Sequence, residues 1–215
     1  MATLHCNCGK TCIKLATTIP RSKTVCCCDD CFDRFNVLHK HFGGPACHAK
    51  NLPALYCTFD NNLVVESGDI FFFKVTPVES PTPINMASKC CNTCLMGYFE
   101  PYHHNCVAIN SPERGAKIDG ADCDATKYSF ISFRHGKERF DDMLEREPQF
   151  KGVPEIWLKG EGMEEGFDGT PKWEERLMDV TSKLSEPAKG QPSGKTFDDL
   201  LEERGGKEGI VVLAK

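Results

Sequence analysis

"VCCCDDC", Val25 to Cys31, places four cysteines within six consecutive positions. A hydrophobic core has no need of thiols at this density. A metal ion does, because thiolates are strong ligands for a soft divalent cation. Two further groups flank the stretch: Cys6-Asn7-Cys8-Gly9 ahead of it and Cys90-Cys91-Asn92-Thr93-Cys94 behind it. The chain has 215 residues and 14 cysteines, all at or before Cys123, so the last part is compositionally distinct.

The setting decides how these thiols are read. The opening residues carry His5, Cys6 and Cys8 where a secretory segment would be apolar, and Ile70 to Phe73 is far too short to span a bilayer. The chain is therefore expected in the cytoplasm, with the nucleus as the alternative and no membrane association. Thiols stay reduced there, and clustered cysteines point to metal or catalysis. A net charge of −5 leaves no basic surplus to release counterions, so nucleic acid is not expected as a partner. From Gly136 to Lys215 the balance is 13 Lys+Arg against 19 Asp+Glu.

Spacing divides the sulfurs. Cys-x-x-Cys is a turn that presents two ligands and leaves backbone N–H groups to support them. Cys-x-Cys does the same from an extended segment, because residues i and i+2 face one side. Counting by pairs, Cys6, Cys8, Cys91 and Cys94 make a closed four-thiolate site, which suits a structural zinc. Cys26, Cys28 and Cys31 remain on one short loop as three ligands with an open fourth position, the form of a catalytic zinc. Cys27 and Cys90 stay as alternatives that replace a neighbour if the register shifts. Four thiolates on Zn²⁺ leave −2 and an inert ion. Three leave −1, a poor source of hydroxide but a fitting host for a soft thiol ligand. The expectation is two zinc ions per chain, one structural and one catalytic, with Cys26, Cys28 and Cys31 carrying the chemistry.

The remaining cysteines, Cys12, Cys47, Cys57, Cys106 and Cys123, are expected as small buried apolar residues. His39, His41, His103 and His104 are competing ligands. A single four-ligand zinc without a reactive site is the alternative account of the whole constellation.

Around these motifs the texture to about Phe133 is β-like, with short β-branched and aromatic runs broken by Gly, Pro and Asn. "LVVES" and "IFFFKVT" flank Gly68-Asp69 and predict a hairpin. "YSFISF" alternates with period two. "KERFDDMLERE" and "PKWEERLMDVTSKL" carry apolar residues at helical steps, and "EPAKGQPSGK" is a polar linker. Thr196 is expected to cap a short helix stopped by Gly205-Gly206, with "GIVVLAK" as a closing strand that pairs with a sheet edge in this subunit or another. The fold class is mainly β, antiparallel sheets with peripheral helices in the C-terminal third. A zinc-binding β-rich domain is expected over 1–175 and a helical and strand extension over 176–215, with a homodimer as one assembly.

The order Cys6-Asn7-Cys8-Gly9, then Cys26-Cys27-Cys28-Asp29-Asp30-Cys31, then Cys91-Asn92-Thr93-Cys94 resembles that of the glutathione-dependent formaldehyde-activating enzyme family. Centromere protein V belongs to the same superfamily. "LVVESGDIFFFK" and "VPEIWLKGEGMEEGFDGTPKW" echo further elements of that family, and the likeness runs from about Leu4 to Trp173. The resemblance implies a β-tent-like fold, a structural zinc on the first and last motifs and a catalytic zinc on the middle one. It also implies carbon–sulfur lyase chemistry on a thiol, typically glutathione, and its adduct with a small aldehyde. The chain departs from the family where Leu95-Met96 follows the last motif and Cys27 stands at a position that is often His. The metal framework therefore transfers better than the substrate. Two other readings stand beside it. One is a non-catalytic protein-binding module like centromere protein V. The other is lyase or isomerase chemistry on a non-thiol metabolite, with Asp29, Asp30, His39, His41 or His103 as acid or base.

Overall fold

Strand β6 (Ile70–Thr76) shows how the chain is layered. Ile70 and Phe72 point into one core, while Phe73 and Val75 point into another. Period-two alternation with both faces apolar makes an interior strand of a sheet covered on both sides. The computed structural model describes residues 1–26, 29–45, 54–76, 83–98, 105–110, 116–123, 130–133, 145, 155–159, 164–166, 182–191 and 193–215.

The fold is mainly β, as the sequence predicts, in two sheets. The smaller has four strands, in the order β10 (Lys117–Asp119), β1 (Thr3–His5), β2 (Cys12–Leu15) and β5 (Leu63–Ser67), all antiparallel. The larger has ten. Its order is β13 (Glu164–Gly166), β12 (Glu155–Lys159), β11 (Phe130–Phe133), β3 (Ser22–Cys26), β4 (Ala54–Asp60), β9 (Cys106–Asn110), β8 (Cys94–Tyr98), β7 (Ile84–Ser88), β6 and β14 (Val211–Ala214). Three of its pairings, β3 with β11, β11 with β12 and β6 with β14, are parallel, a departure from purely antiparallel sheets.

The first core lies between the sheets. Leu4, Ile13 and Leu15 of the small sheet meet Phe59, Phe72, Met86 and Ile109 of the large one. The second lies on the other face, beneath helix α1 (Asp29–Phe42), whose Phe35 and Leu38 pack on Tyr56, Phe73 and Ala87. Helix α1 corrects two expectations at once. Helix occurs in the N-terminal half, and Cys31 stands in its first turn, not on a loop.

Gly68-Asp69 does not close a hairpin either. β5 pairs with β2 and β6 with β7, so the pair is a corner where the chain leaves one sheet for the other. Gly68 has φ +79, and a Cβ there would run into Thr11 of the β1–β2 connection. Only glycine combines that conformation with that contact.

The end of the chain is built into the fold. Thr196 caps helix α2 (Phe197–Glu202) in a reciprocal box with Asp199. Phe197 is fully buried, stacked on Tyr98 at 4.8 Å and edge-on to Phe72 at 5.1 Å. β14 then completes the large sheet from within the same subunit. Arg21 pairs with buried Asp60 and donates to the carbonyls of Lys183, Leu184, Glu186 and Pro187, which ties the linker down. Of the two helices predicted over 137–147 and 171–184, the described residues hold only Glu145 and 182–184, all helical.

Phe197→Ala is expected to lower stability by about 3–5 kcal/mol, the range for deleting a fully buried aromatic ring. Urea unfolding followed by tryptophan fluorescence checks it. A loss below about 1 kcal/mol would show that α2 is an appendage.

Candidate metal centre

Two turns build the centre. After β1 the chain bends through Cys6-Asn7-Cys8-Gly9, where the Gly9 N–H donates to the Cys6 carbonyl at 2.9 Å and the Cys6 N–H to the Thr11 carbonyl at 3.1 Å. Between β7 and β8 it bends again. The Asn92 N–H donates to Ser88 at 3.0 Å, and Asn92 takes a left-handed φ of 52°. The Asn7 N–H reaches across to the Thr93 hydroxyl at 3.0 Å and holds the turns together.

This brings four sulfurs, Cys6, Cys8, Cys90 and Cys91, within 4.8 Å of one another. Individual separations are 3.5 Å for Cys6–Cys8, 3.5 Å for Cys6–Cys90, 3.3 Å for Cys8–Cys90 and 3.9 Å for Cys90–Cys91. A tetrahedral ion with metal–sulfur bonds of about 2.3 Å needs sulfur–sulfur edges of about 3.8 Å. The cage therefore fits a metal ion of that size. Hydrogen-bond donors surround it: the Thr11 N–H on Cys6 at 3.3 Å, and the Ser88 and Thr93 hydroxyls near Cys91 at 3.4 and 3.1 Å. Such donors stabilise anionic sulfur and orient the ligands.

The thiol acidities follow the donors. Burial works against ionisation of Cys91, yet the Ser88 and Thr93 hydroxyls and the Cys8 amide pull it down to about 6. Cys6 is also lowered, with the Thr11 amide and the Cys90 and Cys8 thiols outweighing burial. Cys8 moves up to about 12: the Lys10 amide favours its thiolate, but Cys90, Cys91 and Cys6 crowd it with sulfur. Like charges in one site cannot all ionise unless a cation joins them.

Three of the four expected ligands, Cys6, Cys8 and Cys91, thus meet. The expectation of Cys94 as the fourth fails, and Cys90 takes its place. Past Thr93 the chain is already strand. Cys94 opens β8 with its side chain in the second core, on the opposite face of the large sheet, where burial pushes its thiol up. The adjacency Cys90-Cys91 was the signal. In a tight turn both sulfurs can face one point, which the counting of Cys-x-x-Cys overlooks.

Of the middle motif, Cys26 at the end of β3 and Cys31 in α1 bring their sulfurs to 3.2 Å. Cys27 and Cys28 lie outside the described residues, as do Cys47, His103 and His104. The Cys26–Cys31 pair packs against the second core with Cys94, apart from the four-sulfur cage. His39 and His41 direct ring nitrogens to the carbonyls of Gly44 and Ala214, at 2.7 and 2.9 Å, and join no sulfur group among the described residues. Cys57 and Cys106 are buried as expected, whereas Cys12 faces Glu66 at 3.6 Å. No helix among the described residues is long and apolar enough to cross a membrane. No family model, curated protein or solved structure matches the chain.

Two outcomes are expected. Cys90→Ser loses the metal of the four-sulfur cage while Cys94→Ser keeps it, as measured by elemental analysis after gel filtration. In metal-free protein at pH 7, above the lowered value of Cys91 and far below that of Cys8, iodoacetamide labels Cys91 first although Cys8 is the more exposed. Peptide mass spectrometry reads the order.

Proposed function

We propose that the chain is a zinc enzyme of carbon–sulfur lyase type, acting in the cytoplasm on a thiol such as glutathione and its adduct with an aldehyde or related electrophile. In this reading the four-sulfur cage holds a structural zinc. A second zinc sits on the middle motif and presents the substrate sulfur. The observation that carries the reading is the separation of Cys26 and Cys31, 3.2 Å apart, from the cage. One sulfur group is complete by itself, and the other is not. The order of the cysteine motifs supports the same division.

The chemistry follows from charge. Cys26, Cys28 and Cys31 would hold the ion, and three thiolates would leave a net −1, a poor source of hydroxide but a fitting host for a soft thiol ligand. Held as thiolate near neutral pH, the guest sulfur attacks the carbonyl carbon, a C–S bond forms, and the carbonyl electrons move to oxygen, which takes a proton. In reverse the C–S bond breaks and the electrons return to sulfur. Cys26, Cys28 and Cys31 serve as ligands, not as nucleophiles.

Zinc analysis of native protein is expected to give two ions per chain. Cys31→Ser is expected to retain one ion and an unchanged circular-dichroism spectrum while losing turnover with glutathione and small aldehydes, followed by loss of free thiol. Full turnover in Cys31→Ser would overturn the proposal. A single zinc in the unaltered protein would favour a binding module without catalysis.

A further inference from the structure

The four sulfurs of the cage are not equivalent. Cys6 is fully buried and accepts the Thr11 N–H at 3.3 Å, while Cys91 is half-buried between the Ser88 and Thr93 hydroxyls. Cys8 and Cys90 are exposed, and their sulfurs lie 3.3 Å apart. With an ion bound all four are thiolates, so access decides which of them an oxidant in solution meets first. The exposed pair is that target.

The pair is also divided between the two turns, 82 residues apart in the chain. Cys8 belongs to the turn that joins β1 to β2, and Cys90 to the turn that joins β7 to β8. Bonds within a turn are disfavoured. Cys6–Cys8 would close a ring over one intervening residue and Cys90–Cys91 over none, which strains the geometry a disulfide requires. Cys8–Cys90 closes no such small ring. The two sulfurs need only move from 3.3 Å to a bond of about 2.05 Å. The turn has room for that movement beside Cys8, since a Cβ on Gly9 would meet nothing within 4 Å.

We propose that Cys8 and Cys90 form a peroxide-sensitive modification site, whose disulfide releases the cage ion and takes over its task of joining the two sheets. One exposed thiolate attacks the O–O bond of hydrogen peroxide, becomes a sulfenic acid and releases hydroxide. The other thiolate attacks that sulfur, the S–S bond forms, and a second hydroxide leaves. The two sulfurs are oxidised and the two peroxide oxygens are reduced. Cys6 and Cys91 alone are too few ligands for a closed thiolate site, and the ion departs. A chelator takes the ion and opens the seam between the sheets, whereas the disulfide expels the ion and keeps the seam shut. The inference needs the cage to hold an ion and is independent of the second zinc and of the lyase reading.

The test uses the full chain carrying Cys31→Ser, which removes a ligand of the middle motif so that the cage ion is read by itself. The protein is loaded with zinc and treated with hydrogen peroxide. A chromophoric chelator is expected to read one zinc released per chain, and peptide mass spectrometry without reductant to find Cys8 linked to Cys90. Dithiothreitol followed by zinc restores the loaded form. In thermal melts followed by circular dichroism, the oxidised, zinc-free protein is expected to melt about 5–15 °C above reduced protein stripped by a chelator, because a cross-link over so long a loop restricts the unfolded chain. Any other pairing among the four cysteines overturns the proposal, as does sulfinic acid without a link, or zinc retained through oxidation. Equal melting of the oxidised and stripped proteins overturns the claim that the disulfide replaces the ion. Should Cys31→Ser not fold, the unaltered chain is used, and the linked peptide and the melting difference decide in the same way. Absence of zinc from the loaded protein defeats the cage itself and this inference with it, and is read before peroxide is added.

Discussion

Four cysteine sulfurs lie within 4.8 Å of one another, and as thiolates they would repel unless a shared cation joined them. That constraint organises the molecule. Cys6 and Cys8 come from the turn joining β1 to β2 in the small sheet, whereas Cys90 and Cys91 come from the turn joining β7 to β8 in the large one. The cage is therefore a seam between sheets, closed over 84 residues of chain. Thr11 shows how tightly the seam is drawn. Its N–H supports Cys6, its hydroxyl lies 3.4 Å from Cys90, and its backbone abuts Gly68, where the chain crosses from one sheet to the other. The missing Cβ at the corner makes room for the residue that supports two ligands.

The large sheet separates two environments with different demands. Toward the small sheet its side chains are apolar, and the last residues of the chain deepen that core through Phe197, Leu200 and Leu201. Toward α1 the layer mixes Phe35, Leu38 and Phe73 with buried Asn85, Asn110 and Arg34. Polar groups buried in this way are retained at a cost in stability, roughly the desolvation of each group less its hydrogen bonds. Part of that expense falls in the layer that Cys26 and Cys31 pack against, and part around the cage, at Thr11, Ser88 and Thr93. A layer needed only for packing would have been filled with aliphatic residues.

What the sequence discloses follows from what spacing encodes. Alternation reports which residues share a face, so the strands and the capped terminal helix were legible from apolar period and Thr196. It does not report which sheet a strand joins, and the turn signal at Gly68-Asp69 fits a corner as well as a hairpin. Helix α1 was hidden for a different reason. Phe35 and Leu38 are helically spaced, but Arg34 interrupts the apolar face, and the cysteines beside it draw attention to a loop. Cys94 illustrates the same limit. Counting ligands pairs it with Cys91, but side-chain direction is fixed by where strand β8 begins, one residue after Thr93, and by the left-handed Asn92 before it.

The two sulfur groups also differ in how much of the chain each must hold. A metal held by the cage would join segments 84 residues apart and recover a large loop-closure entropy, so its binding energy would be folding energy. Cys26 and Cys31 are five residues apart, one ending a strand paired on both sides and the other in the first turn of a helix. Both are positioned by local structure, the strand pairing of β3 and the first turn of α1. Cys6 and Cys91 thus belong with the core on one face of the large sheet, and Cys26 and Cys31 with that on the other.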